Sequence, residues 1–345
     1  MRAARFDSAS GKLSVEDVPI PTPGSGEALV RVEACGICLS DVHLLDGTLP
    51  PPVPVVTPGH EAAGTVEAVG EQVPGWSVGD RVVMAGGRTC GTCRMCVRGR
   101  FEECEAFEIM GFSFDGAWAQ YVVVPATGLS LVPAELPFPQ AAVLADAVST
   151  PYAALTDRAA LRPGESVGLW GIGGLGVHAV QVARMVGAAP IIAIDPLSSA
   201  RDRALASGAD LALDPTAGDV VEQVRHATDG RMLDVAVDLV GANAVLAQAA
   251  ACLGRYGRCV MVGLSFDDIS LGTGLFFGLQ SQSLLGHLGY KRRHLDELVD
   301  LVARGRLDVS GSISEVMPLE DVARGVEQLV SKSGNPIRLV VQPWV

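Results

Sequence analysis

The chain has 345 residues, of which 48% are hydrophobic, and this is enough for two domains with substantial cores. Its 39 acidic and 26 basic side chains give a net charge of −13, so a phosphate backbone would repel it and no nucleic-acid partner is expected. Apolar runs such as residues 235–240 are too short to span a bilayer, so no membrane association is expected either.

The predicted elements change character near residue 148. Before it, short valine-rich runs separated by Gly and Pro predict an all-β lobe, at residues 28–32, 65–69, 81–84 and 121–124. After it, strand-like runs alternate with helical stretches, namely strands at 166–170, 190–195, 235–239 and 258–262 and helices at 175–186, 199–207 and 242–253. This alternation predicts an α/β domain with a parallel sheet.

Four of the eight cysteines lie within one short segment of the β lobe. They are Cys90, Cys93, Cys96 and Cys104, with two, two and seven residues between them. Zinc prefers four thiolates in a tetrahedron, so this spacing predicts a structural zinc site. The alternative is two disulfides, which require an oxidising compartment. Because the N-terminus from Met1 to Arg5 is charged and has no apolar signal-peptide core, we expect reduced thiols and a cytoplasmic location.

A glycine-rich turn opens the second half of the chain, between the predicted strand ending at Trp170 and an apolar helix. Such glycines permit a tight turn and a close approach of the backbone to a pyrophosphate, and the helix N-terminus presents free N–H groups to the anion. The predicted dinucleotide-binding residues of this turn are Gly171, Gly173, Gly174, Leu175 and Gly176.

Asp195 strengthens this interpretation, because it lies nineteen residues beyond Gly176 at the end of the second predicted strand. A carboxylate there can accept hydrogen bonds from the adenosine ribose and would repel a 2′-phosphate. No arginine follows before Arg201, so NAD is favoured over NADP. The alternative role for Asp195 is an N-cap of the next helix.

Two further motifs resemble the signature of zinc-dependent medium-chain alcohol dehydrogenases. The first runs from Gly36 to His43 as GICLSDVH, and the second runs from Gly59 to Gly64 as GHEAAG and is followed by Gly70. The four-cysteine segment and the glycine-rich turn come after them in the family's order, so the resemblance covers essentially the whole chain. It implies a GroES-like catalytic domain joined to a Rossmann domain with a doubly wound parallel sheet.

The resemblance implies a catalytic zinc site as well. Cys38, His60 and Asp146 match its three protein ligands, although many family members have Cys where this chain has Asp146, and a helix cap is the alternative role for that residue. Asp41 is expected to orient the imidazole of His60. Glu61 is expected near the metal, in its surroundings or as an alternate ligand.

The remaining implied residues serve the substrate and the cofactor. Ser40 and His43 match a proton relay, and Ser40 is also assigned to the cofactor site; the alternatives are a helix cap for Ser40 and mere exposure for His43. Arg338 matches an arginine that reaches the cofactor pyrophosphate, with a surface salt bridge as the alternative. Leu39 departs from the family, which often has a basic residue there, so cofactor binding is expected to be weaker.

The sequence thus predicts an oxidoreductase with a catalytic domain at residues 1–148 and 290–345 and a Rossmann domain at 149–289, with the active site in the cleft between them. It would transfer a hydride between a primary or secondary alcohol and NAD, with two zinc ions per subunit. A homo-oligomer, with a tetramer favoured over a dimer, is also expected. The alternatives are a polyol or amino-alcohol dehydrogenase such as one for threonine, a zinc-free reductase of the same fold, and a non-catalytic binding protein.

Overall fold

A computed structural model describes residues 1–345, apart from the side chain of Glu102. The strands are β1 (Arg2–Asp7), β2 (Lys12–Asp17), β3 (Glu27–Ile37), β4 (Val55–Val56), β5 (Ala62–Val69), β6 (Arg81–Met84), β7 (Gly87–Arg88), β8 (Glu108–Ile109), β9 (Tyr121–Pro125), β10 (Leu129–Leu131), β11 (Val167–Trp170), β12 (Ile191–Ile194), β13 (Leu211–Leu213), β14 (Leu233–Asp238), β15 (Leu253–Met261), β16 (Ser283–Gly286), β17 (Ile313–Pro318) and β18 (Arg338–Gln342).

The helices are α1 (Leu39–Leu45), α2 (Phe138–Val143), α3 (Ser149–Ala153), α4 (Gly176–Val186), α5 (Ser198–Ala206), α6 (Val220–Ala227), α7 (Asn243–Ala251), α8 (Gly274–Leu279), α9 (Arg292–Ala303) and α10 (Val322–Ser331). Two compact units contain these elements. The first comprises residues 1–147 and 291–345, and the second comprises residues 148–290.

The first unit is built mainly from antiparallel sheets. Its largest sheet has the order β10-β6-β5-β3-β18-β17, and β9 also pairs with β3. Along β3, Val30 and Val32 alternate with the partly exposed Arg31, so the two valines join a buried core that also contains Trp118. This sheet holds the motif residues in place, because β3 ends at Ile37, β5 begins at Ala62 and β18 begins at Arg338.

A helical segment begins well before Thr150. The helical segment opens at Phe138, with Pro139 in its first turn, and a π-helical turn, Leu144–Val148, follows α2 directly. Asp146 therefore lies inside a helical segment, and the alternative role, a cap of a helix starting near Thr150, is wrong. Single π-helical turns of this kind are frequent at functional sites.

The second unit contains a six-stranded parallel sheet with the order β13-β12-β11-β14-β15-β16. Every residue of β11 and β12 is buried, as expected of strands covered on both faces. The helix α4 is followed by Gly187, which has a φ of 91° and provides a left-handed C-cap. The predicted fold class, a Rossmann domain with a GroES-like domain, is confirmed.

None of the helices in the described part of the chain is both long enough and apolar enough to cross a membrane.

Candidate zinc and dinucleotide sites

The first unit brings together the three side chains predicted to hold a catalytic zinc. Candidate ligand atoms of Cys38, His60 and Asp146 all lie within 4.8 Å of one another. The thiol of Cys38 donates a hydrogen bond to Asp146 Oδ2 at 3.1 Å, and His60 Nε2 lies 3.9 Å from the same oxygen. Cys38 is the N-cap of α1, His60 precedes β5, and Asp146 lies in the π-helical turn.

This donor set fits a zinc ion. With ordinary zinc–ligand bond lengths, the ligand atoms of a tetrahedral site are about 3.3 to 3.5 Å apart, close to the distances found here. Sulfur, imidazole nitrogen and carboxylate oxygen are the donors that zinc accepts in proteins. Three protein ligands leave one coordination position for a substrate oxygen, which is the arrangement of catalytic rather than structural zinc sites.

Asp41 holds two of the three candidate ligands. Its Oδ1 lies 3.2 Å from His60 Nδ1, and its Oδ2 accepts a hydrogen bond from the backbone N–H of Cys38 at 2.8 Å. Burial lowers the pKa of His60, but the Asp41 carboxylate outweighs this and raises that pKa well above its ordinary value. Because Nδ1 faces a carboxylate, Nε2 is the nitrogen left for a metal.

A buried ion pair lies beside this cluster. Glu61 is fully buried, its Oε1 accepts a hydrogen bond from Ala147 N at 3.0 Å, and its Oε2 lies 3.3 Å from Arg338 Nε. Burial raises the pKa of Glu61 to about 8, while the charge of Arg338 opposes the rise. A guanidinium here compensates the negative charge of nearby carboxylates in a low-dielectric environment.

Arg338 is only 2% exposed, so the alternative of a surface salt bridge is wrong. Besides Glu61, its Nη1 donates a hydrogen bond to Ile37 O at 3.1 Å, and its Nη2 lies 3.8 Å from Asp146 Oδ2. The structure thus associates this arginine with the candidate zinc ligands. Its contact with a cofactor pyrophosphate stays a prediction.

The two predicted relay residues both lie on α1. The Oγ of Ser40 is 3.5 Å from Cys38 Sγ, and the cap of α1 is Cys38, so the alternative that Ser40 caps this helix is wrong. The side chain of His43 is 26% exposed, with Nδ1 3.9 Å from Asp46 Oδ2. Residues three apart on a helix share a face, so Ser40 and His43 are neighbours along α1.

The four-cysteine segment connects the short paired strands β7 and β8. Its sulfur atoms lie within 4.8 Å of one another: Cys90 to Cys104 is 3.5 Å, Cys90 to Cys96 is 3.9 Å and Cys93 to Cys104 is 4.0 Å. Four thiolates around one zinc would be about 3.8 Å apart, given a Zn–S bond of about 2.3 Å. This segment is therefore preformed for a tetrahedral zinc ion.

Backbone N–H groups support the same sulfur atoms. Cys93 N donates to Cys90 Sγ and Cys90 N donates to Cys104 Sγ, both at 3.3 Å. Hydrogen bonds from the backbone of Thr92 and Cys93 lower the pKa of Cys90 to about 6, whereas burial raises the pKa of Cys96 to about 12. Such N–H···S bonds stabilise thiolates, which are the form that binds a metal.

In the second unit, the glycine-rich turn follows β11 as predicted, and α4 begins at Gly176 with Leu175 as its N-cap. A Cβ atom at Gly176 would lie 2.0 Å from Gly171 O, so this glycine is required for packing. A Cβ atom at Gly173 would meet no atom within 4 Å. Open space beside backbone N–H groups at a helix N-terminus is what a pyrophosphate needs. Gly174 O lies 2.7 Å from His178 Nδ1.

Asp195 joins the ends of two adjacent strands. One carboxylate oxygen accepts a hydrogen bond from Ile172 N and the other accepts one from Leu197 N, both at 2.8 Å. The N-cap of α5 is Leu197, so the alternative that Asp195 caps this helix is wrong. The carboxylate therefore lies against the glycine-rich turn, where it would accept hydrogen bonds from an adenosine ribose.

Two residues that sequence reasoning assigned no role also belong to these sites. Gly36 adjoins Glu61, because a Cβ atom there would lie 2.1 Å from Glu61 Oε2. Arg201 Nη1 donates hydrogen bonds to the carbonyl oxygens of Asp195 and Pro196, both at 2.8 Å. The sequence offered one signal for each residue: Gly36 belongs to the first motif, and Arg201 follows Asp195 by six residues.

Comparisons with known proteins agree with this geometry. Residues 24–134 match the model of the alcohol dehydrogenase GroES-like domain, and residues 174–304 match that of the zinc-binding dehydrogenase. An NAD-dependent alcohol dehydrogenase of Sulfurisphaera tokodaii is 32% identical over 95% of this chain and 96% of its own. An L-threonine 3-dehydrogenase of Pyrococcus furiosus is 33% identical over 86% of each chain.

Solved structures show the same relationship. An alcohol dehydrogenase from Thermus sp. ATN1 superposes with a TM-score of 0.91 at 31% sequence identity, over 99% of both chains. Near-complete coverage at this identity, together with both domain models, establishes the family resemblance predicted from the motifs. The chain belongs to the zinc-dependent medium-chain alcohol dehydrogenases.

Proposed function

We propose that this chain oxidises primary or secondary alcohols with NAD, and reduces the matching aldehydes or ketones. The observation that carries the proposal is the convergence of Cys38, His60 and Asp146 within 4.8 Å, with Asp41 orienting the imidazole. A zinc ion held by these three residues would supply Lewis-acid chemistry, lowering the pKa of an alcohol oxygen before hydride transfer. One thiolate and one carboxylate balance its two positive charges.

In this proposal, Ser40 receives the alcohol proton. Its hydroxyl lies 3.5 Å from the Cys38 sulfur, and a hydroxyl both accepts and donates a proton in a hydrogen bond. His43 lies three residues further along α1, and its partly exposed imidazole would pass the proton to solvent. Arg338, buried beside Glu61 and 3.8 Å from Asp146, adds a positive charge next to the ligand set.

The cofactor of the proposal is NAD, held by the turn from Gly171 to Gly176 and by Asp195. The open space at Gly173 supports pyrophosphate binding, and the Asp195 carboxylate supports recognition of an unphosphorylated ribose. The proposal includes two zinc ions per subunit, one at Cys38, His60 and Asp146 and one at the four cysteines. It places the protein in the cytoplasm, where reduced thiols persist.

A homo-oligomer, with a tetramer favoured, is also part of the proposal. The helix α8 exposes Leu275, Phe276 and Leu279 by 65%, 66% and 63%, and it lies just before β16, the edge strand of the parallel sheet. Exposed apolar side chains and an edge strand are both features of association surfaces. Light scattering of the purified protein would measure the subunit number.

A second candidate substrate class is the amino-alcohols, because the L-threonine 3-dehydrogenase of Pyrococcus furiosus is as similar in sequence as the alcohol dehydrogenases. A substrate panel of primary, secondary and aromatic alcohols, polyols and L-threonine, each with NAD, separates these classes. Formation of NADH with simple alcohols and little with L-threonine would support the main proposal, and the reverse would favour the second.

Metal dependence tests the mechanism itself. NADH formation is measured in the purified protein, after chelation, and after zinc is restored, while the bound zinc per subunit is counted at each stage. We expect activity to fall with loss of the metal from Cys38, His60 and Asp146 and to return with zinc. Full activity after complete removal of that metal would refute the proposal.

A further inference from the structure

Arg201 is the first arginine after Asp195, and its guanidinium is already engaged. Its Nη1 donates hydrogen bonds to the carbonyl oxygens of Asp195 and Pro196 and lies 3.1 Å from Asp214 Oδ2. The side chains of Arg201 and Asp214 are 21% and 24% exposed, so this ion pair is largely shielded from water. The first arginine that follows the ribose-reading carboxylate along the chain is therefore already engaged by groups of this chain.

The fold places Asp214 at the right point for this contact. Parallel strands β12 and β13 are paired with Ile194 opposite Leu213, so Asp195 and Asp214 follow the same edge of the sheet. The backbone N–H of Asp195 also donates to Leu213 O at 3.1 Å. Asp214 is itself anchored, because its Oδ1 accepts hydrogen bonds from Thr216 N at 2.9 Å and from Thr216 Oγ1 at 2.6 Å.

We infer that Asp214 reinforces the preference for NAD over NADP that Asp195 favours, by holding Arg201 in an internal ion pair and so denying it to a ribose 2′-phosphate. This inference rests on the proposed use of a nicotinamide dinucleotide. In this fold an arginine close to the end of the second strand is the usual partner of a 2′-phosphate. Here the arginine is present, but a neighbouring carboxylate neutralises it.

Charge explains why one residue can have this effect. Arg201 and a 2′-phosphate would form charge-assisted hydrogen bonds between two ionised groups, in a geometry that allows two parallel bonds, whereas the two carbonyl oxygens carry no net charge. With Asp214 in place, a phosphate must compete with a carboxylate for the guanidinium, and it also meets the repulsion of Asp195 and Asp214. Without the Asp214 charge, only the two carbonyl oxygens would compete for Arg201.

The test compares the dissociation constants of NADH and NADPH for the zinc-loaded enzyme, measured by nicotinamide fluorescence. The proteins are the wild type, Asp214→Asn, Arg201→Gln and the double variant. We expect Asp214→Asn to lower the NADPH-to-NADH ratio of dissociation constants about tenfold, the size of one favourable charged contact. In the Arg201→Gln background the same substitution should change the ratio by less than about twofold, because the cation is gone.

Two controls make the outcome specific. Asp210→Asn removes an equal charge from an exposed pair with Arg184, at 3.9 Å, and should leave the ratio unchanged. Asp214→Ser is a second variant in case the asparagine disturbs the turn at Thr216, and it should lower the ratio as Asp214→Asn does. Thermal unfolding confirms that each variant is folded.

An unchanged ratio in folded Asp214→Asn and Asp214→Ser would overturn the inference. So would an equal decrease with and without Arg201, because simple charge removal would then explain the effect. A wild type that binds neither NADH nor NADPH would instead refute the cofactor part of the proposed function, and the inference with it. If the wild type binds NADH and the Asp214 variants have the same NADPH-to-NADH ratio of dissociation constants as the wild type, only the inference is refuted.

Discussion

The carboxylate of Glu61 occupies the space that a side chain on residue 36 would need. A Cβ atom on Gly36 would lie 2.1 Å from Glu61 Oε2 and 2.6 Å from its Cδ, well inside contact distance. Glu61 cannot simply move aside, because its other oxygen accepts a hydrogen bond from Ala147 and Oε2 faces Arg338. The missing side chain at position 36 thus creates the slot for a buried ion pair beside the candidate zinc ligands.

Gly36→Ala should therefore disturb the metal site as well as the fold. We expect destabilisation of about 1–3 kcal/mol, as for other overpacked core positions, together with loss of zinc from Cys38, His60 and Asp146. Urea unfolding and zinc counting per subunit measure the two effects. Gly311→Ala is the matched control, because a Cβ atom there meets nothing within 4 Å. If Gly36→Ala keeps its full zinc content and wild-type stability, Glu61 does not need the space left by the missing side chain at position 36.

Asp146→Ala should lose the catalytic zinc while the four cysteines keep theirs. Removing one of three protein ligands leaves only Cys38 and His60, whereas the structural site has its own complete set. Metal analysis should fall from two zinc ions per subunit toward one, and alcohol oxidation should fall at least about a hundredfold. Asp146→Cys, which restores a zinc-binding side chain, should retain two. Two zinc ions in folded Asp146→Ala would show that this residue is not a ligand.

Gly173→Ala and Gly176→Ala should separate cofactor binding from stability. The first adds a methyl group to open space, so the free energy of unfolding should change by less than about 0.5 kcal/mol while NADH binding weakens. The second drives a methyl group to 2.0 Å from Gly171 O, so the protein itself should be destabilised. Unfolding curves and NADH titrations of both variants measure this contrast. Unimpaired NADH binding in Gly173→Ala would place the pyrophosphate elsewhere.

Leu39→Arg should tighten NADH binding. Leu39 is half exposed at the start of α1, so an arginine there can be accommodated without disturbing the core. A cation at this position would add attraction for the cofactor pyrophosphate, as the family resemblance implies, and should lower the dissociation constant of NADH several-fold. Leu39→Gln adds a long polar side chain without charge and serves as the control. An unchanged dissociation constant in Leu39→Arg would count against the placement of residue 39 near the cofactor.

The pH dependence of stability should reveal the buried Asp238. Burial raises the pKa of this carboxyl above its ordinary value, although hydrogen bonds from Val240 N and Gly241 N oppose the shift. Because the folded-state pKa exceeds the unfolded one, the folded state binds more protons between the two values, and this group's contribution to stability declines as pH rises through that interval.

Asp238→Asn removes this titration, so the stability of the variant relative to the wild type should improve as the pH rises above the ordinary pKa of an aspartic acid. Urea unfolding at several pH values measures the difference in unfolding free energy, and the exposed Asp229→Asn is the control. If the difference in unfolding free energy between the variant and the wild type does not change with pH, Asp238 has the same pKa in the folded and unfolded states.

The sequence by itself determined those features whose residues lie close together along the chain. The four cysteines bring their sulfur atoms together through short turns, and the glycine-rich turn follows its strand directly, so spacing alone predicted both. The alternation of strand-like runs with helical runs likewise predicted the parallel sheet, because each run is recognised from neighbouring residues alone.

Only the tertiary structure decided which distant side chains meet. Cys38, His60 and Asp146 come from a strand end, a loop and a π-helical turn, and Arg338 reaches them from the first residue of β18. Sequence spacing contains no information on such contacts, because sheet pairing and helix packing set the distances. The slot at Gly36 and the pairing of Arg201 with Asp214 are of the same kind: each depends on two chain segments that meet only when the core closes.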